Sequence, residues 1–165
     1  MRTRTAAAAL VVSVGWMFDW ISKAVARTEL EHAVAVAVLP GFNLTLLYNP
    51  GVSFGLLPVG TQFGLSMMLG MQTLLTVIVA GLAWRSRNEP SLWAWLLLLS
   101  GALGNLQDRA THGAVTDFID LYAGSYHWPA FNLADVFISA GVIGLFAREL
   151  MAWFLGKGFG KRRMS

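Results

Sequence analysis

Four stretches of the chain stay apolar for nearly the roughly 20 residues needed to cross a bilayer core, and polar residues collect between them. They run at about 6–26, 62–84, 91–106 and 132–155. The third is short, and the fourth continues past the charged pair Arg148 and Glu149. This pattern predicts an all-α membrane protein, a four-transmembrane-helix bundle forming one domain over residues 1–165. Two segments, about 27–61 and 108–130, then lie together at one end of the bundle.

The first of these segments is too apolar to be a simply solvated loop. "VAVAVL", Pro40-Gly41 and "FNLTLLY" read as two short strands around a turn, with Pro and Gly at its central positions. A small sheet at the membrane surface is expected. The second carries Gly113, Gly124, Pro129 and the aromatic residues Tyr122, Tyr126 and Trp128, which suits an interfacial loop or short helix.

Composition agrees with the pattern. Of 165 residues, 56% are hydrophobic and 13% charged, which excludes an ordinary soluble domain. Cysteine is absent, which removes disulfides, thiolate metal sites and a Cys nucleophile. The net charge of +3 matters less than where the charges fall, and nucleic-acid binding has no support in it. Arg2, Arg4, Arg85, Arg87, Lys157, Lys161, Arg162 and Arg163 all share one side if there are four spans. The positive-inside rule makes that side cytoplasmic, with both termini there. Asp19, Glu29, Glu31, Asp108, Asp117, Asp120 and Asp135 fall in or near the other half, so carboxylate chemistry is expected to face outward. The basic start and "AVA" at 24–26 resemble a signal peptide, but Asp19 and Lys23 interrupt the apolar run, and a retained first span is expected.

Ionisable groups at membrane depth are costly and are functional candidates. Asp19 and Lys23 stand four residues apart on one helix face; a self-neutralising pair and a functional pair are both open. "YNPGVSFG" offers Asn49 beside a turn. Gly101, Asn105 and Arg109 share one stripe of the third helix, where lipid would penalise the polar pair. Asp108, about 100° round the helix, reads as a surface charge. "GAVTDFIDL" presents Asp117 and Asp120, the latter read as a surface acid. In "FNLADVF", Asn132 and Asp135 have the form of a capping box, which leaves open whether Asp135 caps its helix or faces another acid.

The three histidines, His32, His112 and His127, lie in no G-x-S-x-G or H-E-x-x-H setting, so serine-hydrolase and zinc signals are absent. No metal or cofactor is expected. A pair of aspartates from different segments remains. Two carboxylates meeting at low dielectric tend to share one proton, so one can serve as base toward water while the other donates to a carbonyl. Two rivals use the same residues: a proton-coupled transporter or channel, and a structural adaptor with polar interhelical contacts.

Taken in order, Asp19-x-x-Ser22-Lys23, Asn49-x-Gly51-x-x-Phe54, Gly104-Asn105-x-x-Asp108-Arg109, Val115-x-Asp117-Phe118-Ile119 and Phe131-Asn132-x-Ala134-Asp135 resemble the successive motifs of the lipoprotein signal peptidases, or signal peptidase II. The resemblance covers nearly the whole chain. It implies an aspartyl endopeptidase of the bacterial inner membrane, sensitive to globomycin. Such an enzyme removes signal peptides from diacylglyceryl-modified prolipoproteins by cleaving before the lipidated cysteine. It also implies Asp117 and Asp135 as catalytic acids, with Asp19, Asn49, Asn105, Arg109 and Asn132 lining or supporting the site. An extracytoplasmic β-cradle and a short periplasmic helix or loop would be built from the two outward segments. The partners implied are a lipidated prolipoprotein and membrane lipids, and a monomer is expected. Ser53, Ser100 and Thr116 depart from the family's usual small or branched residues.

Overall fold

The computed structural model describes residues 2–33, 35–51 and 61–156, with only the backbone given for residues 2 and 3. The side chain of Arg2, together with Ser53, Phe54, Lys157, Lys161, Arg162 and Arg163, lies outside the described residues.

The apolar stretches form four helices: α1 (Arg2–Glu29), α2 (Gln62–Arg85), α3 (Leu92–His112) and α4 (Leu133–Phe154). Caps fix their ends. Thr61 Oγ1 accepts the N–H of Gly64 at the start of α2. Gly113, at φ 75°, closes α3 by returning its N–H to the Arg109 carbonyl. That left-handed residue turns the chain from α3 directly into a strand. α3 runs six residues beyond the stretch ending near 106, so Asp108 and Arg109 belong to its last turns.

The helices Arg4–Glu29, Gln62–Arg85 and Leu133–Phe154 are each long and apolar enough to cross a membrane. α3 differs because Asn105, Gln107, Asp108 and Arg109 crowd its last two turns. It is the central helix, packed against α1, α2 and α4. Small residues permit this. A Cβ on Gly101 would collide with the Ala134 carbonyl, and one on Gly104 with the Asp19 carboxylate, so α1, α3 and α4 meet backbone to side chain.

The interior is polar and the exterior oily. The largest fully buried side chains are Lys23, Asn132, Thr116, Asp19 and Ser100, whereas Phe146, Ile143 and Trp153 are about two-thirds exposed or more. Such a distribution suits lipid as the solvent, because polar groups satisfy one another inside.

Beyond the end of α3, the second of the two segments is neither an interfacial loop nor a helix. It forms β3 (Val115–Ala123), an inner strand of an antiparallel four-stranded sheet in the order β1-β2-β3-β4, with β1 (Val36–Leu39), β2 (Phe42–Asn49) and β4 (Tyr126–His127). The fold is therefore mostly helical with a small antiparallel sheet. "VTDFIDLY" is rich in β-branched and aromatic residues, and β2 offers it a partner edge, pairing Leu47 with Asp117 and Asn43 with Asp120. Phe118 packs on Ala26 of α1 and on Leu30 just beyond its end, with Leu44, Leu46 and Leu133 around them. This cluster ties the sheet to the end of the bundle.

Candidate functional site

The site forms where β3, the start of α4 and the last turns of α3 converge. Period-two geometry sends alternate β3 side chains to opposite faces. Thr116 and Phe118 turn toward α1, and Asp117 turns toward Asn49 and the head of α4. Phe131 bridges to Ile119 of β3, its N–H and carbonyl both engaged, which sets the next residue, Asn132, beside Asp117.

Asn132 is fully buried and serves both acids. Its Nδ2 donates to Asp117 Oδ1 at 2.6 Å, and its Oδ1 accepts the Asp135 N–H at 3.0 Å. The Asp135 carboxylate completes the capping box, Oδ2 accepting the Asn132 N–H at 3.2 Å. Its other oxygen, Oδ1, accepts Asn105 Nδ2 at 2.8 Å. Asp117 Oδ2 accepts Asn49 Nδ2 at 3.0 Å, and Asn49 Oδ1 in turn accepts the Gly51 N–H. Three asparagines thus hold the two aspartates, each acid bonded through both oxygens. The cap fixes the backbone of Asp135 and leaves Oδ1 directed at α3, so capping and chemistry are compatible.

Burial raises the Asp117 carboxyl above its ordinary value of 3.8, the charge of Asp135 adds to the rise, and the donors Asn49 and Asn132 oppose it. A carboxyl whose folded value is raised binds its proton more tightly in the folded state. Its contribution to stability is fully present below about pH 3.8 and is lost as the pH climbs through the raised value. Unfolding profiles of wild type and Asp117→Asn should therefore diverge over that interval, the variant losing less stability as pH rises. Parallel profiles would contradict the assignment.

Arg109 bonds Gln72 of α2 through Nη1, and neither acid forms an ion pair with it among the described residues. Its Nε is buried without a hydrogen-bond partner among the described residues, and the Gly51 backbone passes close by. A guanidinium N–H left unpaired costs free energy until a ligand oxygen reaches it.

Asp19 reaches from α1 to the head of α4. Its Oδ1 accepts the Ala134 N–H at 2.8 Å, capping α4 from α1, because Gly104 lets the helices approach closely enough. Its Oδ2 pairs with Lys23 Nζ at 2.8 Å, and both residues are buried. Lys23 also donates to Asn105 Oδ1 at 2.9 Å, the amide whose nitrogen holds Asp135. Lys23 therefore fixes which way the Asn105 amide faces. The i,i+4 spacing pointed to the ion pair, but no sequence signal linked Lys23 to a residue 82 positions away.

Asp108 is not a surface charge. It is buried, with Oδ2 accepting the Thr116 N–H at 2.6 Å and Oδ1 meeting Arg27 at 3.0 Å and His112 Nδ1 at 2.9 Å. Its side of α3 is covered by α1 and β3, which the helical angle alone could not reveal. Thr116, where Val is common in the family that the chain resembles, uses its hydroxyl to accept from Arg27. Asp120 is only 8% exposed, and accepts from Asn43 and His127 at the sheet. The hydrogen bond with His127, followed by that from Asn43, holds its carboxyl below the ordinary value.

These features define a membrane-associated enzyme with two amide-held aspartates, Asp117 buried and Asp135 partly exposed. A family model described as "Signal peptidase (SPase) II" matches residues 11–151. The chain belongs to that family. A lipoprotein signal peptidase of Francisella tularensis subsp. novicida is 42% identical over 137 residues, covering 80% of this chain and 84% of its own. Another, from Polynucleobacter necessarius, is 36% identical over 151 residues, covering 90% and 89%. A solved structure described as a bacterial membrane enzyme superposes with a TM-score of 0.72 at 25% identity, covering 97% of this chain and 94% of the other. A second so described gives 0.71 at 27% identity, covering 87% and 92%.

Proposed function

We infer that this protein is the peptidase that removes signal peptides from prolipoproteins, and that Asp117 and Asp135 are its catalytic pair. One observation carries the assignment of the pair: a single buried amide, Asn132, grips Asp117 with its nitrogen and the Asp135 backbone with its oxygen. Purified protein should cleave a diacylglyceryl-modified prolipoprotein before the lipidated cysteine, and globomycin should block it. Failure to cleave, together with proton flux in vesicles, would favour the transporter reading.

In this reading all four helices span the membrane as a monomer, with both termini cytoplasmic and the pair near the periplasmic face. The central, polar α3 is shielded by its neighbours. The signal helix of the substrate lies among the spans while its acyl chains stay in lipid, so the bilayer itself brings the scissile bond to the pair. A water between Asp117 and Asp135 gives its proton to the ionised carboxylate as its oxygen attacks the carbonyl carbon. The protonated carboxyl donates to the developing oxyanion. The second transfer returns a proton to the leaving amine, and the pair regains its shared proton. Which acid starts as base belongs to the pair as a unit. Asn49, Asn105 and Asn132 hold the carboxyls in place, and Asp19 fixes the head of α4.

Arg109 holds a substrate carbonyl with its unpaired Nε. Arg109→Lys keeps the charge and removes that donor, so kcat/KM should fall roughly tenfold to a hundredfold, the worth of a hydrogen bond to a charged group. An unchanged kcat/KM would remove Arg109 from the substrate. Asp120→Asn should retain near-normal cleavage, since Asp120 turns to Asn43 and His127 rather than to the pair. A loss matching that of Asp117→Asn would assign the β3 acid of the pair to Asp120 instead.

A further inference from the structure

The end of the bundle opposite the aspartates holds a hollow of about 580 Å³ between α1 and α2, floored by α3. α1 and α2 both pack on α3 without extended contact with each other, which leaves the space open. Arg4, Arg87 and Asn88 stand at its mouth, and its walls are apolar, among them Ala9, Val12, Leu96 and Leu99. A second hollow of about 350 Å³ shares Arg4, Arg87 and Asn88 and extends toward Pro90 and Trp93.

We propose that this is a binding site for one anionic glycerophospholipid, its phosphate held by Arg4 and Arg87 and an acyl chain lying between α1 and α2. The proposal rests on α1 and α2 lying in a bilayer, and is independent of the peptidase reading. Charge and depth select this occupant. Arg4 forms no ion pair among the described residues. Arg87 is positioned in advance, stacked 5.1 Å over the Trp84 ring with Nη1 on the Trp84 carbonyl. The nearby acid, Glu89, is engaged by Arg148 at 2.9 Å. Two guanidiniums converging on one mouth match a phosphate diester. Along α1 the hollow runs from Arg4 to Ser13, about 13 Å at 1.5 Å per residue, close to one leaflet of a core about 30 Å thick. Trp84 and Trp93, both more than half exposed, mark the level of the lipid headgroups. The signal helix of a substrate is a poor fit, because its basic leading end would meet two arginines.

The test is native mass spectrometry of the purified full chain after exchange into phosphatidylglycerol or phosphatidylcholine with identical acyl chains. The wild type should retain one phosphatidylglycerol, and phosphatidylcholine at least about tenfold more weakly. Arg4→Gln/Arg87→Gln should lower phosphatidylglycerol to the phosphatidylcholine level, while Arg85→Gln, which removes a charge at the same end outside the hollow, should not. Ala9→Trp fills the space from an exposed helix position and should remove both lipids without altering charge. Equal retention of the two lipids by wild type would overturn the proposal, as would undiminished phosphatidylglycerol in Ala9→Trp. Loss of prolipoprotein cleavage in Ala9→Trp with lipid retention intact would assign the hollow to the substrate instead.

Discussion

An Asp135→Asn protein is expected to fold, to keep its α4 cap, and to lose turnover of a lipidated prolipoprotein by about a thousandfold to ten-thousandfold. The asparagine side chain keeps the shape. Its oxygen can take over the bond to the Asn132 N–H or the one from Asn105, so little stability is at stake. What it lacks is a proton that can be taken and returned. The same holds for Asp117→Asn, whose carboxyl accepts from two asparagines. Unfolding midpoints near wild type, combined with turnover lost in both variants, would identify chemistry rather than folding as the deficit. Normal processing by either variant would remove that residue from the mechanism.

The second large effect falls on stability. Lys23→Met is expected to destabilise the protein by about 3–5 kcal/mol, because it leaves the buried Asp19 carboxylate without its counter-charge. Both residues are almost completely inaccessible, so solvent cannot compensate. Adding Asp19→Asn should recover much of the loss, since the neutral amide oxygen can still accept the Ala134 N–H that caps α4. A double-mutant cycle measured by equilibrium unfolding in detergent should give a coupling of at least about 1 kcal/mol. Additive effects would mean that the ion pair does not hold α1 to α3 and α4. Lys23→Met should also slow cleavage, because the Asn105 amide would lose the donor that fixes its orientation toward Asp135.

The helices were legible in the sequence because long apolar runs leave few alternatives once lipid is the solvent. The Pro40-Gly41 hairpin was legible for a local reason too, as Gly41 adopts φ 87° between β1 and β2. β3 was hidden by its own chemistry. Asp117 and Asp120 break the apolar pattern of a strand, and the edge that makes the segment a strand is β2, some 70 residues earlier. The candidate acids and asparagines were visible as polar residues that a membrane would otherwise penalise. Their partnerships were not. Asp108 and Asp120 look like surface charges until α1, β3 and His127 close over them, and Asp19 caps a helix that begins more than a hundred residues later. Spacing along one helix predicts i,i+4 pairs, whereas the Lys23 to Asn105 and Asn132 to Asp117 bonds depend on which elements meet in space.

Asp117 and Asp135 are proposed to deliver a water directly to the scissile carbonyl. A single turnover in ¹⁸O-labelled water, with the released signal peptide and the enzyme analysed by mass spectrometry, tests it most directly. One ¹⁸O is expected in the new peptide carboxylate and none in either aspartate. Label appearing in Asp117 or Asp135 would mean that a carboxylate, not a water, attacks the substrate.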